Sequence, residues 1–132
     1  MIGLGLSSLI PTIEKHAVIR KVSEDGRVVA ILYEVGVNST VEYSYEVFVK
    51  YKKEEIAVAK LHGAVRSKKS LGANIVWADS NLLEIQFLRA FGEEIYLNKL
   101  ETPDGDYLIS LVSGVEDEKA PPGGMKYNLE HN

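Results

Sequence analysis

The chain has 132 residues, 45% of them hydrophobic and 26% charged, a formal charge of −4 and no cysteine. That composition suits a globular chain with one core; at this length folding buries roughly two thirds of the unfolded surface, so neither disulfide nor structural metal is needed. Lack of thiols excludes cysteine nucleophiles, thiolate zinc sites and Fe–S clusters, interspersed charges exclude a nucleic-acid footprint, and no apolar run reaches the about 18 residues of a membrane span.

Met1 to Ile10 is apolar, lacks a basic flank and is cut short at Pro11. With the residues up to 15 it reads as an N-terminal strand or loose arm, or as the remnant of a trimmed signal or anchor. Thr12 to Ala17 is read as a turn of helix after the proline. Ser23-Glu24-Asp25-Gly26 then stands between Ala17-Val18-Ile19 and the run from Val28 to Tyr33. A polar first residue, an acid and a glycine suit a type I turn whose glycine takes positive φ, so a β-hairpin is expected. Gly26 is expected to be its sensitive position, with Ser23 and Asp25 mattering less.

Gly36 to Thr40 is a loop, and its Asn38-Ser39-Thr40 is an N-glycosylation sequon in a eukaryotic secretory setting. From Val41 to Tyr51 the period is two: Val41, Tyr43, Tyr45, Val47, Val49 and Tyr51 share one face, with Phe48 the exception on the other. Lys52 to Glu55 turns the chain into Ile56 to Leu61. His62 to Gly72 is a long middle loop carrying Arg66-Ser67-Lys68-Lys69-Ser70. The turn Ala78 to Asn81 separates Asn74–Trp77 from an alternating strand, Leu82–Phe87. Glu94 to Leu100 then leads into Thr102-Pro103-Asp104-Gly105, which repeats the first turn, and Asp106 to Val112 leads out.

The fold class is therefore all-β: about eight strands in an antiparallel meander, closed as a sandwich, a barrel or two stacked blade-like sheets, with the break in the middle loop. Residues 1–115 make a single β domain and 116–132 a C-terminal tail.

The Ser23-to-Tyr33 turn and strand, the Gly36–Thr40 loop, Tyr45 to Val49, Trp77-Ala78-Asp79 and Leu83 to Ile85 together resemble the pattern of a loose group of small bacterial all-β proteins, often lipoproteins, of uncharacterised function. The likeness spans roughly Val22 to Leu88. Glu24 stands where that group usually has proline, and the cysteine often found in its Gly/Thr loop is missing. The resemblance implies a β fold and no activity.

No catalytic set emerges. Ser23 and Asp25 lack the strand-turn-helix setting of a nucleophile elbow, His16, His62 and His131 are not at metal-ligand spacing, and adjacent carboxylates on a strand point to opposite faces, which excludes a glycosidase dyad. No cofactor is implied. Tyr43, Tyr45 and Tyr51, with Tyr33 on the neighbouring strand, are read as core-edge packing, or else as an aromatic platform. His62, Arg66, Lys68 and Lys69 are read as loop residues, or else as ligand or partner contacts. The expectation is a non-enzymatic binding domain that meets a protein partner, or a second copy in a homodimer, through a sheet edge or the 62–72 loop. One alternative is a small enzyme or small-molecule carrier in whose pocket His62, Arg66 or Asp79 converges with an aromatic wall; another is a structural envelope lipoprotein. The compartment is cytoplasmic as the sequence stands, and extracytoplasmic if an upstream signal has been removed.

Overall fold

The computed structural model describes residues 13–37, 44–64, 73–87 and 90–115. These form nine strands and no helix: β1 (Ile13–Val22), β2 (Val28–Val37), β3 (Ser44–Tyr51), β4 (Glu54–His62), β5 (Ala73–Asp79), β6 (Leu82–Phe87), β7 (Gly92–Ile95), β8 (Lys99–Thr102) and β9 (Gly105–Val112). Two sheets stack as a sandwich and do not close into a barrel. The first has the order β1-β2-β3-β4-β7 and the second β5-β6-β9-β8.

The alternating sequences explain both layers. Val28, Ala30 and Leu32 of β2 and Tyr45, Val47 and Val49 of β3 are buried on the inner face of the first sheet. Ile75, Leu83, Ile85 and Ile109 bury the inner face of the second, and all belong to one core. Three single-residue bulges interrupt the alternation. Ala17 pairs with Tyr33 and Ile19 with Leu32, leaving Val18 unmatched. Val58 of β4 and Ala78 of β5 are left out of register in the same way. A bulge brings two successive residues toward one side, which accounts for the consecutive burial of Val18-Ile19 and of Val58-Ala59.

The structure corrects four expectations. Ile13 to Ala17 is extended as part of β1, not helical, because the pairing with β2 begins at Ile13↔Val37; residues 13–15 therefore belong to the sheet, not to an arm. The strand count is nine, since the stretch expected as one strand from Glu94 to Leu100 is divided between the sheets. Tyr96 and Leu97 still donate backbone bonds to Val58 O of β4, whereas Asn98 O already accepts from Ile109 of β9. The chain thus changes sheets at Asn98. Finally, β6 and β9 run parallel, with Leu82↔Leu108 through Gln86↔Val112, because the excursion through β7 and β8 lets β9 return beside β6 in the same direction. The break between β4 and β5 falls in the middle segment, as expected. The sequon, residues 1–12 and residues 116–132 lie outside the described residues.

The two Asp-Gly turns sit at the same end of the sandwich and are tied across it. Gly26 N donates to Ser23 O at 2.9 Å, with Gly26 at φ +77°. Ser23 is only 4% exposed; its Oγ accepts from Val28 N at 3.1 Å and donates to Asp25 Oδ1 at 2.7 Å. Asp25 Oδ2 accepts the Tyr107 hydroxyl of β9 at 2.6 Å. Those bonds hold the Asp25 carboxyl down at about 2, and the same contact with Asp25 pushes Tyr107 up to about 12. In the second turn Asp104 Oδ2 accepts the Tyr51 hydroxyl at 2.8 Å and lies 3.8 Å from Arg27 Nε. The Trp77 indole packs edge-on against Tyr107 and donates to Lys21 O. The first turn is thus structural, and its Ser23, rather than only Gly26, is built into the fold.

Candidate functional site

The residues singled out in the sequence do not assemble. Tyr45 is fully buried on β3, an interior strand paired with both β2 and β4, so it offers neither a platform nor a free edge for a dimer. Tyr51 is half-buried at the turn end, its hydroxyl engaged by Asp104. Tyr33 pairs with Glu46, which puts it beside the stripe but on the opposite, outer face. Its ring meets Phe48 edge-on, and Lys15 Nζ lies 4.6 and 4.4 Å from the two ring centroids. Burial, and then the bond donated to Glu55, push the Tyr33 phenol up. Tyr43, Arg66, Lys68 and Lys69 lie outside the described residues.

His62 and Asp79, each expected in the pocket of an enzyme or carrier, stand at opposite ends of the sandwich. His62 follows Leu61, whose partner is Tyr45, at the start of β3. Asp79 pairs with Leu82, which pairs with Leu108, next to Tyr107 and the turn that adjoins Tyr51. The six residue steps from Tyr45 to Tyr51 measure that separation as roughly 20 Å of strand.

Two polar arrangements escaped the sequence reading. The first is Glu34, fully buried on the inner face of β2, with Tyr45 as its partner on β3 and His16 as its partner on β1. A carboxyl withdrawn from water requires hydrogen bonds, and the Tyr45 hydroxyl donates one to Oε2 at 2.5 Å. Counting in twos from Val28 through Ala30 and Leu32 would have placed Glu34 inside.

The second arrangement is at the end of the first sheet, where, among the described residues, β7 is bonded to β4 alone. His62 Nε2 lies 2.9 Å from Glu94 Oε2, and the Tyr96 hydroxyl donates to the same oxygen at 2.8 Å. The bond with His62, then that from Tyr96, hold the Glu94 carboxyl below its ordinary range, and the bond to Glu94 raises the Tyr96 phenol. Lys60 and Glu46, 3.7 Å apart, and Lys15, 3.1 Å from Glu46, continue this outer-face row of alternating charge toward β1. Near the clip sit two large exposed apolar side chains, Phe91 at 76% and Tyr96 at 53% exposure, while Ile95, at 43%, lies on the other face of β7 opposite Ala59. Phe91 is fixed by its amide bond to His62 O and by the approach of its ring to Gly63. Gly63 is at φ +58°, and a Cβ there would lie 2.4 Å from Phe91 Cδ2. Strand pairing thus places Phe91 and Tyr96 near His62, with Ile95 on the opposite face of β7, a neighbourhood that no local motif announces.

Among the described residues no three histidine or acidic side chains are grouped to hold a metal ion, and no helix is long and apolar enough to cross a membrane. Compared with known protein families, curated proteins and solved structures, the chain matches none.

Proposed function

We propose that the protein is a non-enzymatic binding domain that meets a protein partner along β7. The observation that carries this reading is the coincidence, at one terminal strand, of a backbone edge with no neighbouring strand among the described residues and the exposed side chains of Ile95 on it and of Phe91 and Tyr96 at its two ends. A strand edge supplies main-chain hydrogen bonds and its side chains supply selectivity, which is the chemistry of strand addition. Large apolar groups gathered at such an edge are more costly in water than scattered ones and mark contact surfaces. His62, of the residues singled out in the sequence, belongs to this site through its contact with Glu94.

The test is recovery of a partner from the native host by the tagged full chain, compared with the F91S/Y96S variant. A stoichiometric partner held by the native chain and lost from a folded variant supports the reading. Equal recovery by both chains, or a strictly monomeric native chain that recovers none, counts against it.

A further inference from the structure

The side of β7 turned away from β4, unpaired among the described residues, has a defined pattern of backbone groups. Tyr96 N donates to Val58 O. Alternate residues of an antiparallel strand turn their N–H and C=O to opposite sides, so Gly92 and Glu94 face β4 with Tyr96, while Glu93 and Ile95 turn their backbone groups outward. Glu93 and Ile95, two apart, also share one face of the strand. Glu94 is engaged by His62 and Tyr96. Glu93 is exposed, with no ion pair among the described residues.

A second copy of the chain fits this edge poorly. Antiparallel pairing of β7 with itself, outward-facing residues opposite one another, sets either Glu93 opposite Glu93 or Glu94 opposite Glu94 of the copy, and like charges directly opposite one another are destabilising. Carboxylates on an edge strand are a common guard against self-pairing. The same Glu93 favours a strand that brings a cation opposite it, while Ile95 favours an apolar residue two positions along on the same face.

Resting on the reading of β7 as a docking edge, we propose that its partner is an extended segment that carries, two residues apart on one face, a lysine or arginine and a β-branched or aromatic residue, and that Glu93 selects it. Such a segment adds as a strand beside β7, bonding to the outward N–H and C=O of Glu93 and Ile95.

The experiment titrates the isotopically labelled full chain, at low salt, with a capped threonine-rich peptide carrying lysine and valine two residues apart and with its counterpart carrying glutamate in place of the lysine. The proposal expects the lysine peptide to bind about three- to five-fold more tightly, the scale of one favourable cross-strand charge pair. Its binding should shift and protect the amides of Glu93 and Ile95 and weaken as salt is added. In E93K the preference should reverse. Equal binding of both peptides at β7, or an unchanged preference in E93K, overturns the basic-partner inference and leaves the docking edge standing. Peptide binding elsewhere, binding of neither peptide, or amides of Glu93 and Ile95 already protected in the free chain overturns the docking edge itself.

Discussion

Replacing Ser23 by alanine tests how the first hairpin is held. The serine Oγ accepts the Val28 amide proton, and Val28 has no exposed surface. Alanine removes the acceptor without giving the amide access to water, and an unsatisfied buried donor costs about 1–3 kcal/mol. It also removes the hydroxyl that orients Asp25 toward Tyr107. Gly26→Ala, by contrast, meets nothing within 4 Å and costs only the left-handed backbone at φ +77°, about 1 kcal/mol. Ser23→Ala is therefore expected to be at least as damaging as Gly26→Ala, reversing the ranking that turn chemistry alone suggests. Urea unfolding should show a lower midpoint with unchanged slope, and thermal unfolding a fall of roughly 4 °C per kcal/mol at this chain length. A Ser23→Ala protein as stable as the native one, beside a Gly26→Ala protein that has lost about 1 kcal/mol, would refute the argument.

The same end of the sandwich governs the pH response. Asp25 has a folded pKa of about 2, below its value in the unfolded chain, so its stabilisation is complete above about pH 4 and lost as pH falls toward 2; Tyr107→Phe should shallow that acid limb in urea midpoints measured from pH 5 to 2, and an unchanged limb would refute the link. Tyr107, raised to about 12, stabilises fully below about pH 10 and loses that contribution as pH rises through 12, which absorbance at the tyrosinate band during alkaline titration will follow. Tyr45→Phe removes the hydroxyl that serves the buried Glu34 and should cost about 1.5–3 kcal/mol by urea unfolding; no loss would mean the bond contributes nothing. Gly63→Ala should destabilise more than Gly26→Ala, since the new methyl both sits at positive φ and displaces the Phe91 ring, and a change in Phe91 ring resonances would report the displacement.

Local pattern carried the sheets and failed wherever long-range pairing decides. Period two placed Tyr45, Val47 and Val49 on one buried face, and the turn residues placed both Asp-Gly hairpins, because these depend on neighbours in sequence. Residues 13–17 carry no local mark of a strand, since Ile13, Lys15 and Ala17 share one face of β1 and Glu14 and His16 the other, so only the pairing with β2 reveals them. The division of 94–100 and the parallel return of β9 depend on which distant strand offers a free edge, and no local period records that. Glu34 was legible in principle, by counting along β2. The ties of Asp25 to Tyr107 and of Tyr51 to Asp104, and the gathering of His62, Phe91 and Tyr96, join residues far apart in sequence and follow only from the topology.

Amide hydrogen exchange along β7 tests the docking edge most directly. The free chain should exchange slowly at Tyr96, whose N–H is bonded to Val58 O, and rapidly at Glu93 and Ile95, whose amides point away from β4; a bound partner strand should slow those two and leave Tyr96 as it was. Slow exchange at Glu93 and Ile95 in the free chain, or no change in them when a partner binds, would contradict the account.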